Sequence, residues 1–259
     1  MKKRKILVAN DDGIGARGIH ELVAALSKVA EVYVSAPHMQ RSATGHSMTM
    51  YSNLFVREVP FEGAVKAYEV SGTPADCVKM GIYLLKEQKI EIDMVFSGIN
   101  HGSNLGSDTL YSGTVSAAIE GNIKGYPAVA LSVASFEPQH FEYAAMLATR
   151  FAEKGYGRIG KNTTININVP NKAVSEIKGV KTALLGPKEY LEEYLPQGIS
   201  EGRNEYKYCG TELDIIGLFS PKPDVMLINE GYATVTPLKA DFTDYELMDE
   251  TEKLMKEIL

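Results

Sequence analysis

The chain predicts an open, doubly wound α/β sheet, mostly parallel, as a three-layer sandwich with a C-terminal extension. Three observations carry this. Short apolar runs that read as buried strands alternate with segments of helical periodicity. Each of the two most polar loops directly follows such a run. Beyond about residue 179 the alternation gives way to mixed strands, turns and charge.

Taken in order, KILVAN (5–10) is a short apolar run ending at polar residues and glycine, a buried parallel strand. Ile19, Leu22, Val23, Leu26 and Val29 recur at helical spacing, and EVYVSAP (31–37) is the second strand, completing a β-α-β unit with its right-handed crossover. Strand-like pieces follow at 48–58 and 66–71. A helix then opens at Thr73-Pro74, with Thr73 as N-cap, Pro74 at the first helical position and Asp76 where a capping box wants an acid. DMVFSG (93–98) is another strand, SGTVSAAIEGNIKG a helix with small residues for close packing on the sheet, PAVALSV (127–133) a strand, 140–154 a helix and TTININVP (163–170) a strand. The run 181–215 reads as poor core, DVMLINEGYATVTPL restores strand character, and 242–258 ends as an acidic amphipathic helix. The expected organisation is one domain over 1–259, with a core at 1–178 and an extension at 179–259 formed by a hairpin and the last helix.

Composition limits the function classes. With 259 residues and 44% apolar content a sizeable core is expected. The formal charge of −6 leaves no basic footprint for nucleic acid or an anionic membrane surface. The only cysteines, Cys77 and Cys209, form no C-x-x-C, which favours a reducing compartment. The apolar run Ile6–Ala9 is too short for a signal-peptide core, and no stretch approaches the roughly 20 apolar residues of a membrane span. A soluble, cytoplasmic protein is expected.

The stretch Asn10-Asp11-Asp12-Gly13-Ile14-Gly15-Ala16-Arg17-Gly18 contains G-x-G-x-x-G, the pattern of a dinucleotide turn. That reading also needs an acid at the end of the second strand to hold the ribose. This strand ends Ser35-Ala36-Pro37-His38, without one, and Asp11 and Asp12 would repel a pyrophosphate. Two adjacent carboxylates at a buried strand end are disfavoured by burial and by each other. A divalent cation removes that difficulty. From this stretch alone helix capping and turn formation remain the commoner alternative.

Other segments bear on the choice. APHMQRSATGHSMT follows the second strand and carries Ser42, Thr44 and His46. SGINHGSNLGSDTLYSGT follows the strand at 93–98 and carries Asn100 and His101. In a doubly wound sheet these loops meet the first at one edge. Their carboxylate, hydroxyl and amide oxygens suit Mg²⁺, Mn²⁺ or Ca²⁺ rather than zinc. Ser112-Gly113-Thr114 starts a helix, where free backbone N–H groups make an anion site, with a plain serine N-cap as the alternative. Gly102, Asn104 and Gly106 in the preceding loop let backbone approach a ligand.

These motifs, ILVANDDGI, AP…RSATGHSMT, GTPADCV, SGINHGSNLGSDTLYSGTVSAAIEG and GYATVTPLKADFTD, resemble the SurE (survival protein E) family of metal-dependent nucleotidases, in order and spacing across nearly the whole chain. The resemblance implies a Rossmann-like core and a phosphomonoesterase acting on nucleoside 5'-monophosphates, with side activity on 3'-nucleotides and short polyphosphate. It implies one divalent ion per subunit, Mg²⁺ or Mn²⁺ with Ca²⁺ able to occupy the site, held by Asp11, Asp12, Ser42 and Asn100. Asp11, Asp12 and Asn100 are the expected catalytic residues, and Asn104, Ser112, Gly113 and Thr114 the expected phosphate contacts. It also implies a homodimer or homotetramer built through the extension. The loop departs from the family pattern at His38, Met39 and Ala43, where Asp-Arg and Gly are usual, but keeps Ser42. The acid that protonates the leaving oxygen is unassigned: His46 and His101 lie in suitable loops, with a structural or solvent-facing role as the alternative for each. Two readings compete, a nucleotide or metal sensor without hydrolysis and an interaction scaffold. Metal-stimulated phosphate release separates the enzyme from both.

Overall fold

The computed structural model describes residues 3–160, 162–213, 219 and 221–259. Its main sheet has nine strands. Along the chain these are β1 (Arg4–Ala9), β2 (Ala30–Pro37), β3 (Val56–Val59), β4 (Lys66–Val70), β5 (Met94–His101), β6 (Ala128–Ala134), β7 (Thr164–Pro170), β8 (Val180–Thr182) and, after the hairpin pair β9 (Tyr190–Ser200) and β10 (Arg203–Glu212), β11 (Ala233–Leu238). The order across the sheet is β3-β4-β2-β1-β5-β6-β7-β11-β8. The run from β4 to β7 is parallel, with β3 and β11 antiparallel additions and β8 parallel to β11.

Helices cover both faces. On one side α1 (Arg17–Leu26) and α4 (Glu142–Lys154) bury Ile19, Leu22, Leu26, Ala144 and Leu147 against Ile6, Val8, Val34, Phe96 and Leu131. On the other, α2 (Pro74–Glu87) and α3 (Gly113–Ile123) bury Cys77, Val78, Val115 and Ala118 against Leu7, Ala9 and Val95. The three layers follow from strands that are apolar on both faces. The capping box on α2 forms: Asp76 N donates to Thr73 Oγ1 at 3.2 Å, and Thr73 N donates to Asp76 Oδ2 at 3.0 Å. Cys77 and Cys209 are both free thiols.

Strand order reverses at β1. The chain winds outward from β1 through β2 to β4, then crosses back to β5 on the other side. Ligands of such sheets sit outside the carboxyl ends of the strands flanking this reversal, here the loops after Ala9 and within 98–112.

Three local expectations change. The strand character expected over 224–238 appears only at Ala233–Leu238, because Pro223 opens a short helix over Asp224–Asn229. Only 56–59 of the strand-like piece 48–58 is a strand; 48–55 is loop, because its stretch to Leu54 is held by side-chain bonds such as Thr49 N to Asp76 Oδ2 (3.0 Å) rather than by a ladder. The segment after 179 is not wholly peripheral, since β8 and β11 join the main sheet and Ala233 and Thr234 are fully buried. What does stand apart is the β9-β10 hairpin, a separate two-stranded sheet, and α5 (Asp224–Asn229) and α6 (Met248–Ile258) complete the helices, α6 with no buried residue. Residues 214 and 215 of the weak-core run lie outside the described residues.

Candidate functional site

The site forms where four segments meet around Asp11 and Asp12. Asp11 is 4% exposed. Its Oδ1 accepts a short hydrogen bond from Thr114 Oγ1 at the start of α3. A side chain at Gly113 would put its Cβ 2.7 Å from Asp11 Cβ, so glycine is what lets α3 reach the carboxylate. Arg41 N donates to the Asp11 carbonyl at 2.7 Å, bringing the loop with Ser42 to the same point. His101 N donates to Asp12 Oδ2 at 3.0 Å, which fixes the neighbouring Asn100 beside Asp12.

The glycines of the first loop have packing roles. Gly13 (φ +98°) makes the tight turn, with Asn10 Nδ2 bonded to its carbonyl at 2.8 Å. Gly18 lets α1 lie against β5, where a Cβ would fall 1.9 Å from the Ile99 carbonyl oxygen. The G-x-G-x-x-G spacing thus serves a turn and a helix-to-strand contact.

Burial, with the neighbouring Asp12 charge adding to it, raises the Asp11 pKa from 3.8 to about 6 despite the Thr114 bond. Burial also raises that of Asp12, against the His101 amide. Among the described residues no lysine or arginine pairs with either carboxylate. Two partly desolvated carboxylates without a lysine or arginine partner, flanked by a serine hydroxyl and an asparagine amide, fit a hard divalent ion taking oxygen donors. Among the described residues no group of three or more His, Cys, Asp or Glu side chains is placed to hold a metal, so an ion here would draw on the hydroxyl and amide oxygens as well as the two carboxylates.

The remaining expected residues are placed as follows. Ser42 is exposed, and its Oγ accepts from Gln40 Nε2 at 2.8 Å. Asn100 Nδ2 donates to the Gly102 carbonyl at 2.8 Å, which orients the amide oxygen as the atom left for a cation. Ser112 Oγ caps α3 through Val115 N at 3.0 Å, and with Thr114 Oγ1 on Asp11 the anion-facing groups of this helix start are backbone amides. Asn104 is locked into a buried polar cluster: its Nδ2 donates to Ser132 Oγ at 2.7 Å, its N to Asn168 Oδ1 at 2.7 Å, and its carbonyl accepts from Asn166 and Asn168. His46 Nε2 lies 2.9 Å from Glu120 Oε2, and His101 packs its ring on Phe141 at 5.7 Å. Burial works to raise the Glu120 pKa, but His46 and the Lys124 and Lys79 charges outweigh it and leave it lowered.

Ala43, one of the departures noted in the sequence, sits at φ +54°, a backbone region that favours glycine. A Cβ in this region costs about 1–2 kcal/mol. Ala43→Gly is therefore expected to stabilise the protein by roughly 0.5–1 kcal/mol after the added freedom of the unfolded chain. A melting experiment in which the variant is the less stable protein contradicts this.

Sequence reasoning missed the residues that hold the site loop from the extension. Asp224, fully buried, accepts from Gly106 N (3.0 Å), Gly186 N (2.8 Å) and Val225 N (2.8 Å). Lys188 Nζ reaches Asp108 Oδ2 at 2.6 Å, and Tyr190 Oη donates to the same oxygen at 2.7 Å. Nothing local in Pro223-Asp224 distinguishes it from an ordinary helix start. A cavity of about 570 Å³ between Leu147, Phe151, Ile165 and Pro237 lies near the amino end of β7, at the opposite edge of the sheet.

The family model for survival protein SurE matches residues 6–192. The chain belongs to the survival protein SurE family. A relative named 5'-nucleotidase SurE from Pelotomaculum thermopropionicum is 42% identical over 253 residues, spanning 97% of this chain and 95% of the relative. Another of that name, from Clostridium beijerinckii, is 39% identical over 258 residues, spanning 97% and 99%. The crystal structure of the SurE protein from Aquifex aeolicus superposes with a TM-score of 0.82 at 36% identity, covering 97% of this chain and 99% of that one. SurE membership thus extends over the sheet, the site loops and the extension together.

Proposed function

We propose that this chain is a phosphohydrolase of nucleoside 5'-monophosphates that depends on a divalent cation. The observation that carries the reading is the meeting of Asp11, Asp12, the Ser42 loop, Asn100 and the α3 start at the strand-order reversal of a SurE-family sheet. Asp11, Asp12, Ser42 and Asn100 would hold the ion, Mg²⁺ or Mn²⁺, with Ca²⁺ able to occupy the same oxygens. When bound, it supplies charge to the phosphoryl oxygens and lowers the pKa of a coordinated water.

The chain's own residues do the rest. The amides of Gly113 and Thr114 receive the phosphoryl group at a helix N-terminus, where the macrodipole favours an anion. Asp12 is the more exposed carboxylate, and the His101 amide binds one of its oxygens, leaving the other to orient the attacking water. Asn104 supports this indirectly by fixing the loop that leads to Ser112. No histidine is assigned as the acid, since His46 is bonded to Glu120 and His101 is packed on Phe141.

The exposed arm β9-β10 presents Leu191, Tyr194, Leu195, Ile199 and Tyr206, and α6 presents Leu254 and Ile258. These apolar surfaces support assembly with further copies as a homodimer or homotetramer. Among the described residues no helix is long and apolar enough to cross a membrane, and two free thiols suit a cytoplasmic setting.

The test is phosphate release from 5'-AMP with Mn²⁺, repeated with chelator and then with 3'-AMP and a short polyphosphate. Release from 5'-AMP that stops on chelation is expected. Release indifferent to chelator sinks the metal assignment, and no release from any nucleotide sinks the function.

A further inference from the structure

Phe136 is 89% exposed, and it stands at the carboxyl end of the sheet, just after β6. It is not on a loose loop. Ser135 N donates to the Val133 carbonyl at 2.7 Å, Glu137 N to Ser135 Oγ at 3.2 Å, and Gln139 N and His140 N both donate to Asn171 Oδ1, at 3.0 and 3.2 Å. The turn is therefore built to hold an aromatic ring in water.

The ring also has a defined neighbour. A Cβ at Gly102 would fall 3.1 Å from Phe136 Cε1 and 3.3 Å from Cδ1, so the ring lies directly over Gly102, whose φ of +113° itself favours glycine. That same point is 3.8 Å from Asn100 Nδ2. The Phe136 turn follows β6, which pairs with β5, and β5 pairs with β1. Two strand spacings, roughly 10 Å, separate the end of β1 from the Phe136 turn, a distance a nucleoside monophosphate spans from phosphate to base.

We propose that Phe136 is the platform on which the substrate's nucleobase stacks while its phosphate lies at Asp11, Asp12 and the α3 start. The proposal rests on the nucleotidase reading above and adds where the base is bound. Stacking on a single aromatic face tolerates every base and favours the larger purine surface. Met39, 52% exposed on the loop after β2 at the other side of β1, is the competing apolar surface.

Wild type, Phe136→Ala, Phe136→Trp and Met39→Ala are compared on 5'-AMP and on ribose 5-phosphate, which carries the same ester and no base. In wild type, kcat/KM is expected to favour 5'-AMP. In Phe136→Ala that preference falls roughly tenfold, mainly through KM for 5'-AMP, while Phe136→Trp keeps it. Melting temperatures report whether the exposed position alters folding. Equal losses on both substrates, an unchanged preference in Phe136→Ala, or collapse of the preference in Met39→Ala instead overturns the proposal. Wild type that cleaves both esters equally well overturns the base platform and leaves the phosphatase standing; wild type that cleaves neither overturns both.

Discussion

Asp11→Asn is expected to lower kcat for 5'-AMP by more than about 100-fold, since even partners of metal ligands cost 10–100-fold when removed. The variant keeps an oxygen to accept from Thr114 Oγ1, so the start of α3 stays in place and the loss falls on the missing charge. Its metal-free stability moves the other way. Folding raises the Asp11 pKa from 3.8 to about 6. Between those values the folded protein retains a proton that the unfolded chain has released. Stability from this group is therefore present below pH 3.8 and is lost as pH rises towards 6, by on the order of 2–3 kcal/mol. Denaturant unfolding of metal-free protein from pH 4 to pH 7 should show wild type losing ground to Asp11→Asn across that window. Added Mn²⁺ should then raise the wild-type melting temperature and leave that of the variant nearly still. A variant that retains activity, or that gains the same stabilisation from Mn²⁺, removes Asp11 from the ion site.

The second large effect is expected at Asp224, which is not among the expected site residues but holds the site loop through Gly106. Asp224→Ala leaves the amides of Gly106, Gly186 and Val225 buried without their acceptor. Each lost bond to a charged acceptor is worth about 1.5–3 kcal/mol, and partial relaxation brings the total to roughly 3–5 kcal/mol. For a chain of this size that is a fall in melting temperature of roughly 10 °C. Because Gly106 lies between Asn104 and Ser112, kcat should fall as well, even well below the melting point. Asp224→Asn should recover part of the stability, since its Oδ1 can still accept from Gly186 N and Val225 N, but little of the turnover, since its NH₂ group would face the Gly106 amide. A variant with wild-type melting and turnover shows that the loop is held without this carboxylate.

How much of this was legible beforehand can be judged residue by residue. The first strand, the periodic apolar face of α1 and the Thr73–Asp76 cap are each written within a few residues; the cap is found as read, while β1 closes at Ala9 rather than Asn10 and α1 at Leu26, short of Val29. The gathering of the Asp11, Ser42 and Asn100 segments was legible through topology, because strand reversal at β1 leaves their loops no other edge to share. The roles of the hydroxyls at 112–114 were not. A serine before a helix reads equally as cap or anion ligand, and only the packed position of Asp11 shows that Thr114 faces it while Ser112 caps.

The sequence alone determined the layered α/β class and the polar loops that follow its strands, because period, capping and turn chemistry act between residues a few positions apart. The tertiary structure alone decided that β8 and β11 close the sheet's edge, that the extension's Asp224 grips Gly106 from 118 residues away, and that the Phe136 ring lies over Gly102. Those contacts depend on which strands become neighbours after the chain has crossed the sheet, and nothing in the residues adjacent to each position records that meeting.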